Sequence, residues 1–132
     1  MRYMDNIYKG RMVKELIESD FKVEEKRGKY TVKLDRKLTE GLNGLLIIYA
    51  PWCEHCMLSK PMWENIARLF KYKFRIYALN TYNFRGGNQN MTLPLDVHVY
   101  PDYKFVNRKG DVLEYDGGKS EADFTKFIVK NL

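Results

Sequence analysis

An unbroken apolar run, Leu45-Leu46-Ile47-Ile48-Tyr49-Ala50, leads through Pro51-Trp52 into Cys53-Glu54-His55-Cys56, which holds both cysteines of the chain. A run with no polar alternation calls for a strand buried on both faces, and helical spacing of apolar residues continues beyond the first cysteine to about Lys71. The stretch therefore reads as a buried strand, a sharp turn and a helix starting at Cys53. The rest of the chain has to cover that strand.

The Cys-x-x-Cys spacing points to redox chemistry. Two thiols one helical turn apart close a small disulfide ring with little backbone movement. Cys53 sits where unpaired helical N–H groups and the positive end of the helix dipole favour a thiolate, the attacking species. A protonated His55 adds a second stabiliser, while the solvated Glu54 opposes it only weakly. Position makes Cys53 the expected nucleophile and Cys56 the resolving thiol. A zinc site is the competing reading, but tetrahedral zinc wants four ligands and the chain offers only His55 and His98 besides the cysteines. A metal half-site shared across a dimer and a pair of inert buried cysteines remain as alternatives. His98 reads as a surface or packing histidine.

At 132 residues the chain suits one domain with a sizeable core. Lys and Arg number 23 against 17 Asp and Glu, a net charge of +6. The basic residues are spread without a block or a nucleic-acid motif, so a solvated basic surface is expected and no nucleic-acid partner. No segment is long and apolar enough for a membrane span, and Met1-Arg2-Tyr3-Met4-Asp5-Asn6 lacks the apolar core of a secretory signal. Both cysteines are used by the motif, leaving none for a structural disulfide. A cytoplasmic location without membrane association is the expectation.

Along the chain, residues 1–28 form an N-terminal extension in which Met12, Leu16 and Ile17 suggest a short amphipathic helix over 11–19. Lys26-Arg27-Gly28-Lys29 reads as a turn and Tyr30 to Leu34 as a strand. Asp35 to Leu42 reads as a short helix ending near Gly41 or Gly44. In the active-site helix, Met57, Leu58, Met62, Ile66, Leu69 and Phe70 are the expected buried side, with a kink at Pro61. Phe74 to Leu79 is a strand, Thr81 to Asn90 a loop, and Met91 to Asp96 a helical turn. Tyr103 to Val106 and Asp111 to Tyr115 are strands joined by a turn at Asn107–Gly110. Ser120 caps a closing helix that buries Phe124, Phe127 and Ile128.

Ala50-Pro51-Trp52-Cys53-Glu54-His55-Cys56 resembles the active site of the thioredoxin superfamily, and Tyr-Ala-Pro-Trp-Cys-x-His-Cys is most similar to its protein disulfide isomerase branch, which usually has Gly at the place of Glu54. The resemblance runs from about Tyr30 to Leu132. It implies a thioredoxin-like α/β fold, a central mixed β-sheet flanked by helices, over residues 29–132. Pro61 lies where the family kinks its active-site helix. A proline before a strand is most often a trans turn residue. Val99-Tyr100-Pro101, however, resembles the segment carrying the family's cis-proline, which faces the cysteines and helps hold an extended substrate. Asp102 follows it where the family commonly has Thr. Glu114-Tyr115-Asp116-Gly117-Gly118-Lys119 is similar to the isomerase ending Tyr-x-Gly-Gly-Arg, with Lys119 for the arginine.

What the resemblance implies is a thiol–disulfide oxidoreductase with catalytic Cys53, Cys56 and His55, and with Trp52, Tyr100 and Pro101 lining the substrate groove. Its substrates would be protein thiols and disulfides, and a reductase or oxidase would recycle it. No cofactor is required beyond the Cys53–Cys56 dithiol. A redox-inactive binding module on the same fold is the alternative. One departure matters for mechanism. Relatives usually carry a buried acid six residues before the first cysteine, often with a lysine partner, to take the proton of the second cysteine. Ile47 and Ala78 stand there, so Cys56 is expected to depend on water, or on a group such as Lys119 or Glu54, and to resolve mixed disulfides slowly.

Overall fold

The computed structural model describes residues 7–8, 12–82 and 88–132. A five-stranded mixed sheet in the order β1-β5-β4-β6-β7 forms the centre. Its strands are β1 (Lys14–Leu16), β4 (Gly44–Tyr49), β5 (Arg75–Asn80), β6 (Asp102–Val106) and β7 (Val112–Glu114). β1, β5 and β4 are parallel, and β6 and β7 return antiparallel. Helices flank the sheet, the mixed α/β arrangement expected from the sequence.

β4 is buried along its whole length, as its apolar run requires. Alternate residues point to opposite faces and build two cores. Leu45, Ile47 and Tyr49 join Trp63, Ile66, Ala67, Phe124 and Ile128, the last five from α3 (Lys60–Leu69) and α4 (Glu121–Lys130). Leu46 and Ile48 pack on the other side with Tyr77, Leu79, Val106, Met91 and Leu95. That second core is closed by α1 (Arg36–Thr39) and a separate hairpin of β2 (Phe21–Lys26) and β3 (Lys29–Leu34), which contribute Leu38, Val32 and Leu34. The hairpin turns through Arg27 and Gly28, both at positive φ. It is fastened to the turn between β6 and β7, where Leu34 N donates to Gly110 O over 2.7 Å. Gly110 has φ +95°, and a Cβ there would lie 2.2 Å from Leu34 O, so glycine is required.

The N-terminal region departs from expectation. Of the helix expected over 11–19, residue 11 lies outside the described residues, and over 12–19 there is instead β1, in register with Tyr77–Leu79, followed by a 3-10 turn at Glu18–Asp20. Leu16 is buried, but Met12 and Ile17 are 47% and 44% exposed, so their helical spacing marks no buried face. β1 is seated by the buried Asn88, whose Oδ1 accepts from Glu18 N at 2.8 Å and whose Nδ2 donates to Asn80 O at 3.2 Å. β2 also lies within residues 1–28, while the start Met1–Asn6 and the Gly86-Gly87 part of the expected loop lie outside the described residues.

The active-site helix is two helices, α2 (Glu54–Leu58) and α3, meeting at Ser59, with Pro61 in the first turn of α3. Proline is well tolerated in a first turn, where the missing N–H has no partner to lose. Met57, Leu58 and Leu69 are exposed, at 40%, 70% and 71%, and Trp63, Ile66 and Ala67 supply the buried side. At the other end of the chain, Ser120 and Asp123 form a reciprocal capping box at the start of α4.

Candidate active site

β4 delivers its carboxyl end to a turn in which Cys53 N donates to Ala50 O over 3.1 Å. That bond folds the chain back so that Cys53 becomes the N-cap of α2. Its sulfur accepts the N–H of Cys56 at 3.1 Å. Because α2 is five residues long, this single aimed donor, rather than a long helix dipole, is the local support for negative charge on Cys53 Sγ. Both thiols are free and both residues are buried, Cys53 at 6% and Cys56 at 2% exposure. Burial first, and then the hydrogen bond with Cys53, push the Cys56 thiol up to about 12. Cys56 is thus held as a protonated thiol beside its partner. Glu54 and His55 are exposed, on the solvent side of the motif.

The register of β6 against β4 places the next wall. Ile48 is level with Asp102, so Tyr100 and Pro101, just before β6, run beside the residues that follow Tyr49. The Tyr100–Pro101 peptide bond is cis. Tyr100 Oη lies 2.6 Å from Thr81 Oγ1. Trp52, 48% exposed, meets Tyr100 edge to face at 5.5 Å and Tyr82 edge to face at 5.8 Å between ring centroids. The rings form an aromatic rim beside the cysteines. Tyr82 was not anticipated, because in sequence it is one residue of a polar loop. The structure therefore brings Trp52, Tyr100 and Pro101 to the dithiol end of the sheet. His98 stands apart, exposed and paired with Asp96 at 2.6 Å.

Beneath the dithiol the core is unusually rich in phenols. Tyr103 contacts Trp63, Phe124 and Tyr115 at 5.8, 4.9 and 6.4 Å between centroids. Burial, followed by the neighbouring Cys56, pushes Tyr103 up to about 12. Tyr115 donates its hydroxyl to Gly118 O, and Gly117 leaves room for that side chain, whose Oη would lie 2.5 Å from a Cβ there. Ile47 and Ala78, where the resemblance implies an acid and a lysine in relatives, are buried register partners. Lys119 and Glu54, named alongside water as groups on which Cys56 could depend, are both exposed. A carboxyl group that does reach this face belongs to the half-buried Glu15 of β1. It accepts from Tyr8 N at 3.0 Å and from the Tyr49 hydroxyl, and burial raises it to about 7. In sequence Glu15 is an ordinary member of a charged run, and nothing local marks it. Among the described residues, no three His, Cys, Asp or Glu side chains converge as a metal site needs, and no helix is long and apolar enough to cross a membrane.

Comparison with known proteins agrees with this geometry. The family model described as thioredoxin matches residues 29–130. Protein disulfide-isomerase of Datisca glomerata is 36% identical over 91 residues, 69% of this chain and 18% of that protein. A protein disulfide-isomerase A6 homolog of Drosophila melanogaster is 32% identical over 87 residues, 63% of this chain and 19% of that one. The chain thus spans under a fifth of the length of these relatives. Among solved structures, the first thioredoxin domain of mouse protein disulfide-isomerase A4 superposes with a TM-score of 0.60 at 24% identity, covering 86% of this chain and 81% of that one, a likeness of fold.

Proposed function

The chain belongs to the thioredoxin family, and from that premise we propose that it exchanges disulfides with protein substrates through Cys53 and Cys56. The observation that carries the reading is the sulfur of Cys53 at the strand-to-helix turn, accepting the N–H of Cys56, with a protonated Cys56 beside it. In the reducing direction Cys53 thiolate attacks one sulfur of a substrate disulfide, and the other leaves as a thiolate. Cys56, once deprotonated, attacks Cys53 Sγ. The substrate's second sulfur leaves, and the Cys53–Cys56 disulfide remains. In the oxidising direction a substrate thiolate opens that disulfide and the steps reverse.

The aromatic rim of Trp52, Tyr82 and Tyr100 supports a substrate that presents an extended apolar segment beside its disulfide, with Pro101 against its backbone. The dithiol serves as the only redox group, and a separate reductase or oxidase returns it to its starting state. His55, when protonated, favours the thiolate form and raises the reduction potential of the pair.

Trapping tests the reading. Cys56→Ser protein mixed with a peptide disulfide accumulates a mixed disulfide through Cys53, and Cys53→Ser protein does not. Alkylation at mildly acidic pH labels Cys53 before Cys56. Failure of the wild-type protein, with both thiols free, to turn over insulin or a small disulfide sinks the proposal in favour of a binding module.

A further inference from the structure

The end of the sheet away from the dithiol is drawn together by Asn43, the residue before β4. Its carbonyl accepts Arg75 N at the start of β5, and its Oδ1 accepts Arg108 N in the turn between β6 and β7, both over 2.9 Å. Its Nδ2 donates to Asn131 O, just beyond α4, again at 2.9 Å. Thr39, at the end of α1, donates its hydroxyl to Arg108 O at 2.9 Å. Elements remote in sequence therefore finish together on one pole. That pole is basic. α1 brings the exposed Arg36 and Lys37, the β6–β7 turn brings Arg108 and Lys109, and the end of α4 brings Lys130. The end of α3 and the turn into β5 add Arg68, Lys71 and Lys73, all exposed. Among the described residues the acids here are Asp35, Glu40 and Asp111, of which Glu40 lies 3.9 Å from Arg75 and Asp111 3.7 Å from Lys33.

At the dithiol pole the balance reverses. Among the described residues Glu54, Asp116, Glu121 and Asp123 are exposed there against Lys119, while Lys60 is half-buried and paired with Glu64 at 3.7 Å. The molecule is thus polarised along its strands. In sequence Lys and Arg are spread, and the expectation of a solvated basic surface without membrane association came from that spread, which the fold undoes. Charge alone would suit any polyanion, but apolar side chains among the cations narrow the choice. Leu69 and Met12 are exposed and Tyr72 is 84% exposed. Met12, Lys71, Tyr72 and Arg75 line one hollow, and Lys71 Nζ lies 4.9 Å over the Tyr72 ring. Such tips gain nothing from a phosphate or carboxylate partner. They can enter the acyl boundary of a bilayer while the lysine stems keep their ammonium groups among the headgroups, and tyrosine favours that same interface.

We propose that this pole is a docking surface for a membrane that carries anionic lipids, with Leu69, Tyr72 and Met12 entering among headgroups bound by Arg68, Lys71 and Lys73. The surface is separate from the dithiol and stands whether or not the thiols exchange disulfides. The basic pole is drawn to the lipid and the acidic pole is turned from it, so the docked molecule holds its dithiol end out into solvent.

Co-sedimentation of the full chain with vesicles tests the proposal. Vesicles of phosphatidylcholine mixed with phosphatidylserine should bind it at low salt, and vesicles of phosphatidylcholine alone should not. Wild-type binding should fall away as salt is raised to about 1 M, where the screening length is about 3 Å. Lys71→Glu combined with Lys73→Glu should weaken binding about tenfold or more. Lys22→Glu combined with Lys26→Glu makes the same change in net charge on β2, away from the pole, and should weaken it far less. Leu69→Ser combined with Tyr72→Ser should weaken vesicle binding about tenfold and leave binding to poly-glutamate or an RNA oligonucleotide unchanged. On vesicles, iodoacetamide should label Cys53 at the rate of the free protein. Absence of binding to the mixed vesicles, binding indifferent to salt, or equal losses from the two charge-reversed pairs overturns the proposal. Tighter binding to RNA or poly-glutamate than to vesicles overturns it in favour of a soluble acidic partner. Slower labelling of Cys53 on vesicles also overturns it, since the dithiol pole would then face the lipid.

Discussion

The two faces of the central sheet are made from alternate residues of the same strands, yet they enclose different chemistry. On one face, Leu46, Ile48, Leu79, Val106 and Leu34 build a mainly aliphatic interior, in which Tyr77 is the fully buried phenol among the described residues. On the other, Tyr8, Tyr49, Tyr103, Tyr115 and Trp63 surround two thiols, and the Glu15 carboxyl hydrogen-bonds into that side. Hydrocarbon packs without needing partners, so the first face can supply stability whatever the pH. Phenols and thiols carry protons, so the second is where stability and reactivity become coupled to protonation. A single strand of period two is enough to keep these jobs apart.

The largest effect that would break this division is chemical. Cys53→Ser should abolish covalent capture of a peptide disulfide altogether, read as the absence of adduct by mass spectrometry, while the urea midpoint moves little. Next in size is the aliphatic face. Ile48→Ala should cost about 2–5 kcal/mol of unfolding free energy, with capture kinetics unchanged under conditions where the protein remains folded, as measured by urea titration alongside stopped flow. Removal of the Ile48 side chain with an equal loss in capture rate would mean that the faces are not independent.

A third test sharpens the contrast through pH. Glu15 is raised from 4.5 to about 7 in the folded protein. The folded state therefore holds this proton more tightly than the unfolded chain does. The stability it confers is full below pH 4.5 and is lost as pH rises through 7, a decline of about 3 kcal/mol. Urea midpoints from pH 4 to 8 should show that decline in the wild type relative to Glu15→Gln. Parallel curves for the two proteins would contradict the burial of this carboxyl. The smallest effect belongs to the rim. Trp52→Ala should weaken capture of an apolar peptide about tenfold, the size expected when an aromatic ring is taken out of an edge-to-face cluster, and leave a small uncharged disulfide almost unaffected.

Much of this was legible in the sequence because it is local. The apolar run of β4, the alternation of β3, the Ser120 cap and the cysteine spacing each declare themselves within a few residues. What escaped is not local. β1 is three residues long, too short for a period to register, and its partner strand begins at Arg75. β2 is exposed along most of its length, so no apolar alternation marks it. Leu58 and Leu69 fit helical spacing, but the buried stripe runs through Trp63, Ile66 and Ala67, and which stripe meets the sheet is decided by packing between distant elements. The dithiol was readable down to its two sulfurs, and Ile47 and Ala78 read as apolar positions and are buried side by side in the sheet. The setting of Glu15 could not be read, since it comes from Tyr8 and Tyr49, residues that only the folded sheet brings beside it.

The two strands that border the central sheet, β1 and β7, are each three residues long. A border strand presents unpaired N–H and C=O groups, and an extended polypeptide can add to them as one more rung. The proposed substrates are chains with extended apolar segments, the kind most prone to such addition. Borders this brief offer too few rungs for a client to zip onto. On the proposed function, a client would then be held by a bond that can be broken, at one end of the sheet, without seeding its aggregation along the sides.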